Sequence, residues 1–219
     1  MIEVQGNGNI VSKQFSVSSF IRLHLSGKGL IELYPSDEEK VIVETDENLL
    51  EYFDIVNSGR TLYVTAGGNL KRPVFTKCVI KIYIRQMNVL YIRNDKADVV
   101  CPEMITLPGS LKIIIQTVGD TSLNMAATEI DMVSQCEGNV TLKGKCNLLK
   151  VKNQSEGNFD AGELMAEEII LKNMAEGNVD LFANQAITIK HYGEGYVHYA
   201  GNAILKDVKQ YGDGEIKHV

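Results

Sequence analysis

The sequence predicts an all-β solenoid, a β-helix with coils of about 19 residues, and three observations carry that reading. The first is a recurring phrase: Glu137-Gly-Asn-Val-Thr-Leu142, Glu156-Gly-Asn-Phe-Asp-Ala161, Glu176-Gly-Asn-Val-Asp-Leu181 and Glu194-Gly-Tyr-Val-His-Tyr199, with a degenerate copy at Asp213-Gly-Glu-Ile216. Its anchoring glycines, Gly119, Gly138, Gly157, Gly177, Gly195 and Gly214, follow one another at steps of 19, 19, 20, 18 and 19 residues. The second is a set of apolar residues at fixed distances from each glycine. Val140 and Leu142, or Val179 and Leu181, follow it, and Leu149 with Val151, Ile169 with Leu171 and Ile187 with Ile189 precede it. Each set alternates, so each repeat holds short strands with one buried and one wet face. The third is repeat size: too short for a propeller blade, and without the spacing of helix-pair repeats.

Stacking such coils at roughly 4.8 Å turns equivalent residues into continuous columns. The glycine marks a corner, and the Asn, Asp or Tyr after it suggests a tight turn with positive φ. A phosphate-binding loop would need a following helix, and the pattern offers none.

Taken in order, Ile21, Leu23, Gly29, Ile31 and Leu33 reproduce the offsets of the later repeats, so the first coil begins near residue 20. Pro35 and Ser36-Asp-Glu-Glu39 end it, and Lys40 to Thr45 reads as a strand. Asn48 to Phe53 is the one helical turn expected, with Asp46 as its cap. Further strands are expected at Thr61 to Thr65 and, after a loop at Gly67-Gly68-Asn69, from Val74 to Arg85. Val89 to Cys101 returns to the coil pattern with Ala97 in the glycine position. The organisation expected is a single domain over residues 1–219. Residues 1–100 form an elaborated N-terminal region with inserted strands at 36–86, and 101–219 are regular coils.

Composition bounds the function. A net charge of −6 argues against nucleic-acid binding, which draws on clustered Lys and Arg. No apolar run is long enough for a membrane-spanning helix. Met1-Ile-Glu-Val-Gln-Gly-Asn-Gly8 lacks a basic and an apolar leader region, so the chain is either cytoplasmic or a mature segment without its leader. Cys78, Cys101, Cys136 and Cys146 show no zinc-ligand spacing, and Cys101 and Cys146 read as buried thiols.

The order of Gly6-Asn-Gly-Asn-Ile-Val11, Phe20 through Leu33, Asp46-Glu-Asn-Leu-Leu50 and Gly59-Arg-Thr-Leu-Tyr-Val64 resembles the head GIN domain of auto-transporter adhesins, a bacterial envelope family. The resemblance covers nearly the whole chain. It implies a right-handed parallel β-helix and an exported protein of the cell envelope or extracellular space. The family's Ser-Gly-Ser-Gly-Asp phrase is replaced here by Asn94-Asp-Lys-Ala-Asp98, and no family active site exists to transfer.

Two constellations invite chemistry. Glu137, Glu156, Glu176, Glu194 and Asp213 would stack as a carboxylate ladder, which calls either for calcium or for the counter-charge of Lys152, Lys172, Lys190 and Lys209. No cofactor is expected: a solvated, salt-bridged face accounts for the ladder, and calcium is the one metal it could otherwise take. Between them, Asn153, Asn173, His191 and Gln210 form a polar column suited to side-chain hydrogen bonds. His24, His191, His198 and His218 share no metal or nucleophile spacing and read as surface residues. Tyr192, Tyr196 and Tyr211 are the binding candidates, since a tyrosine with one wet end suits a sugar or a protein partner, whereas Tyr199 falls in an inward column. The expectation is a non-enzymatic surface interaction module whose C-terminal coil is open to self-association. The alternative is a polysaccharide-active enzyme or carbohydrate-binding protein of the pectate-lyase type, although Asp160 and Asp180 are stacked equivalents too close to be argued as an acid–base pair from spacing alone.

Overall fold

The structure, a computed structural model, describes residues 2–67 and 71–219. Parallel strands stack into a β-solenoid of about six turns with roughly 20-residue spacing. The N-terminal strands are β1 (Ile2–Gln5), β2 (Ile10–Ser16), β3 (Arg22–Pro35), β4 (Lys40–Asp46), β5 (Phe53–Ser58), β6 (Thr61–Ala66), β7 (Lys71–Val74) and β8 (Cys78–Ile84), with a 3₁₀ turn at Glu47–Tyr52. The coils continue through β9 (Val89–Val100), β10 (Ile105–Thr106), β11 (Ser110–Thr117), β12 (Thr121–Ser134), β13 (Val140–Asn153), β14 (Phe159–Asn173) and β15 (Val179–His191). They end with β16 (Val197–Ala200), β17 (Ile204–Gln210) and β18 (Ile216–His218).

Coil order departs from chain order at the N-terminal end. β6 and β8 pair in parallel with successive halves of β3, and β9 pairs along the same β3 residues. A strand ladder has two edges, so the later segment β6–β8 lies beneath the first coil while β9 lies above it. Antiparallel strands β5, β4 and β2 then extend that underside. This covers a core edge that would otherwise offer unpaired backbone groups.

Above β3 the register is regular. One inward column runs Leu62, Leu23, Leu90, Ile113, Met132, Val151, Leu171 and Ile189, all buried, and ends at Val208. Leu149 and Ile169 are direct partners in a second column, which reaches Leu205. A third changes character along its length. Val64, Leu25, Ile92 and Ile115 are apolar, whereas Ser134, Asn153, Asn173 and His191 are polar and still fully buried.

The corner glycines are aligned as the spacing predicts, for a reason other than the one expected. None of the six has positive φ; that conformation belongs to Gly27, Gly29, Gly144 and Gly201 among others. Instead, a Cβ on Gly138 would overlap the carbonyl oxygen of Gly119. The same overlap recurs from Gly157 to Gly138, Gly177 to Gly157 and Gly195 to Gly177. The column needs glycine because adjacent coils approach backbone to backbone. Ala97 stands at the base of this column, its carbonyl facing Gly119.

Two local expectations are corrected. Asp46 precedes the 3₁₀ turn but makes no side-chain cap bond there. Its buried carboxylate accepts the N–H groups of Gly8 and Thr76, each at 2.8 Å. The strand expected from Val74 to Arg85 is accordingly broken into β7 and β8, with Thr76 held at the break. Of the loop expected after β6, Gly68 and Asn69 lie outside the described residues.

Candidate interaction surface

Outward side chains at the glycine corner form ladders of their own. Directly after the glycines, Asp98 Oδ1 accepts the Asp120 N–H, Asp120 Oδ1 the Asn139 N–H and Asn139 Oδ1 the Asn158 N–H. Asn158 Oδ1 continues to Asn178 and Asn178 Oδ1 to Tyr196. Each side chain thus satisfies a corner donor one coil further on, and the chain of bonds stops where tyrosine replaces asparagine. Glu137, Glu156, Glu176 and Glu194 stand beside this ladder, exposed and one per coil. Among the described residues no three acidic, His or Cys side chains converge to hold a metal ion. Lys152, Lys172, Lys190 and Lys209 stack in register.

The polar column inside the coils is hydrogen-bonded. Asn153 Nδ2 donates to Asn173 Oδ1 at 3.0 Å, and Asn173 Nδ2 lies 3.2 Å from His191 Nδ1. His191 is therefore a core residue, correcting its reading as a surface histidine. Alternation places it there, since Ile187, Ile189 and His191 face inward while Lys190, between the last two, is exposed. The amide donates to Nδ1, which leaves the ring proton on Nε2, facing the Gly195 and Gly214 carbonyls without a hydrogen-bond partner in range. Burial pushes the His191 pKa down, and the imidazole is neutral in the folded chain.

Sequence reading missed a further ladder. Tyr91 Oη donates to Gln116 Oε1, Gln116 Nε2 to Gln135 Oε1 at 2.9 Å, and Gln135 Nε2 to Gln154 Oε1 at 3.2 Å. Its signal was in the chain: each glutamine lies three residues before a corner glycine, the position that Met174, Tyr192 and Tyr211 occupy in the following coils. A shallow groove of about 340 Å³ runs between Gln116, Gln135 and Gln154 on one side and Glu137 and Glu156 on the other.

Tyr192 and Tyr211 continue the glutamine column as a parallel stack, ring centroids 4.8 Å apart and planes within 9°. They are 43% and 65% exposed, and Lys172 Nζ lies 5.8 Å from the Tyr192 ring centre. Tyr196 lies past the corner and stacks on His198 at 3.9 Å. The three candidate tyrosines thus divide into a stacked pair and a separate residue, and Tyr199 is buried in the core. Asp160 and Asp180 are direct partners on adjacent coils, with His198 Nδ1 3.8 Å from Asp180. Burial, and secondarily the Asp160 charge, raise the Asp180 pKa. Cys101 and Cys146 are buried, which pushes their thiols up to about 11 and about 12, so neither is a nucleophile at neutral pH.

The C-terminal end closes unevenly. His218 lays its ring against Tyr199, with Nε2 2.9 Å from the Gly201 carbonyl, and Gln210 donates its amide to the Gly214 carbonyl at 2.9 Å. Among the described residues β17 pairs with β15 alone and is exposed along its whole length.

A parallel β-solenoid with outward side-chain ladders defines a class of elongated repeat protein. Residues 19–203 match the family described as "Putative auto-transporter adhesin, head GIN domain", and the chain belongs to that family. Three solved structures share its fold. A putative adhesin of Bacteroides fragilis is 20% identical, with a TM-score of 0.88 over 99% of this chain and 100% of that one. A putative adhesin of Parabacteroides distasonis is also 20% identical, with a TM-score of 0.72 and coverage of 99% and 100%. A protein from the same organism, described as a putative lipid binding protein, is 18% identical, with a TM-score of 0.70 and 99% coverage of both chains. A search of curated proteins found no match. No helix among the described residues is long and apolar enough to cross a membrane.

Proposed function

We propose that this chain is a non-enzymatic interaction module of the cell envelope or cell surface, which engages other molecules through the glycine corner and C-terminal end of its solenoid. The observation that carries the reading is the Tyr192–Tyr211 stack, an exposed aromatic surface in the same column as the amide ladder, separated from it by Met174. Tyrosine supplies large contact area at low entropic cost and keeps a polar tip in water, which suits a glycan or a protein partner alike. Membership of a family described as adhesins supports the envelope location and a binding role.

A polysaccharide-active enzyme calls for carboxylates facing each other across a bound sugar. Asp160 and Asp180 instead lie side by side on adjacent coils of one sheet face. The test has two arms: binding of the chain to arrayed neutral, acidic and amino-sugar oligosaccharides and to intact bacterial cells, and product release from the same polysaccharides. The expected outcome is binding that falls at least tenfold in a Tyr192→Ala, Tyr211→Ala variant, with no turnover. Turnover abolished by Asp160→Asn or Asp180→Asn, or binding indifferent to the tyrosines, overturns the reading.

A further inference from the structure

We infer that the outward column of Lys152, Lys172, Lys190 and Lys209 takes an acidic polysaccharide, a chain with a carboxylate on each sugar, laid along the solenoid axis. The inference rests on the interaction-module reading and names a ligand class for it. The four lysines hold equivalent positions on successive coils, and all are exposed. Strand spacing sets them roughly 4.8 Å apart, where like charges repel. The ion pairs that would relieve this repulsion within the chain do not form: among the described residues none of the four lies within salt-bridge distance of a carboxylate. On one side of the column Glu129 is engaged by Lys150 at 2.7 Å and Glu168 by Lys206 at 3.2 Å. On the other, Lys172 extends over the Tyr192 ring instead of reaching Glu176. The outward neighbours of Lys172 and Lys190 along their own strands, Ile170, Thr188, Met174 and Tyr192, carry no charge. Three or four cations in register thus stay uncompensated in a chain of net charge −6.

Repeat and width select the occupant. One cation per coil is close to one per sugar ring in an extended glycan, so successive uronate carboxylates meet successive lysines. Tyr192, two residues past Lys190, adds a ring face on which a sugar stacks. The basic file is a single residue wide, and the exposed column of Glu156, Glu176 and Glu194 runs parallel to it. An anionic bilayer, being flat, would press its phosphates on both columns, whereas one polymer chain lies on the lysines alone. A single-stranded nucleic acid spaces its phosphates more widely than the coils and falls out of step with the lysines. The site also has a defined start, because in the preceding coils the same column becomes Val133, Ile114 and Tyr91.

Calorimetric titration of the chain with hexameric oligogalacturonate tests this, with its fully methyl-esterified form as the ligand that keeps the sugars and loses the charge. Binding of the acid is expected, weakening linearly in log K against log salt. Esterification should reduce affinity about tenfold or more, and so should the joint substitution Lys152→Gln, Lys172→Gln, Lys190→Gln, whereas the three Lys→Arg changes should retain it. Glu156→Gln with Glu176→Gln should tighten binding. Circular dichroism melts confirm that each variant is folded. Equal affinity for acid and ester, indifference to the glutamine substitutions, or equally tight binding to oligothymidylate or phosphatidylserine vesicles overturns the inference. A chain that ignores oligogalacturonate yet binds neutral glycans or cells through its tyrosines loses this inference alone. Lysine-dependent uronate binding that survives Tyr192→Ala, Tyr211→Ala removes the aromatic basis of the module reading and leaves the lysine column standing.

Discussion

Asp46 ties three separate stretches of the N-terminal region together through one carboxylate. Gly6 packs so closely on it that a Cβ there would overlap the carboxyl group, and its oxygens take the N–H groups of Gly8 and Thr76. Burial raises its pKa, but these backbone donors outweigh burial and hold the carboxyl below its ordinary value of 3.8. A carboxylate with a depressed folded pKa contributes stability that is present above the unfolded value and lost as pH falls through the folded one. Asp46→Ala should therefore cost about 2–4 kcal/mol at neutral pH, read by urea unfolding, and the gap to the parent chain should close in strong acid. His191 has the opposite charge type. Its folded pKa lies below 6.5, so the unfolded chain takes up the proton first and stability declines as pH falls below that value. Replacing it by asparagine continues the Asn153–Asn173 ladder with a group that does not titrate. His191→Asn should flatten the unfolding profile below about pH 6.5 relative to the parent.

At the scale of the element, each strand depends on the coil below more than on its own propensity. Leu171 sits between Val151 and Ile189 with no exposure, so Leu171→Ala should lower the unfolding free energy by about 2–5 kcal/mol. An effect below about 0.5 kcal/mol, the range of surface changes, would contradict its place in the column. Gly157 tests the corner. The obstacle to a side chain there is the Gly138 carbonyl, and a backbone group shared by the whole stack cannot yield as a flexible side chain does. Gly157→Ala should cost about 1–3 kcal/mol in the same measurement, whereas Gly157→D-Ala, introduced by ligation, tests whether φ matters at all.

At the scale of the molecule the solenoid is polar in the directional sense. Its N-terminal end is extended by antiparallel strands, and its C-terminal end exposes β17. Because each coil contacts only its neighbours, stability accumulates from nearest-neighbour terms, and opening starts where a neighbour is missing. Amide exchange on dilute, monomeric protein should show β13 and β14 as the most protected strands and β17 exchanging with the loops. Equal protection across all coils would show instead that the whole stack opens as one unit.

The period and the offsets from the glycines were enough to define the coil, its corner and its apolar columns, because stacking at a fixed repeat makes equivalent positions neighbours whatever the rest of the chain does. The register Leu149, Ile169, Ile187 follows from counting alone. So does the segregation of Tyr192 and Tyr211 with Gln116, Gln135 and Gln154, although only the structure drew attention to that position. What counting leaves open is what fills each position: a polar side chain at an inward offset reads as surface until its partners in the neighbouring coils are known. His191 follows the inward offset of Asn153 and Asn173 and is buried with them, Tyr196 stands one residue past the glycine rather than three before it, and only the structure shows that the glycines answer to a carbonyl in the adjacent coil instead of to their own φ. The order of the first coils was likewise a tertiary decision. β3 has two free edges, local sequence does not choose between them, and the Asp46 carboxylate with the antiparallel strands around it decides which segment takes the lower one.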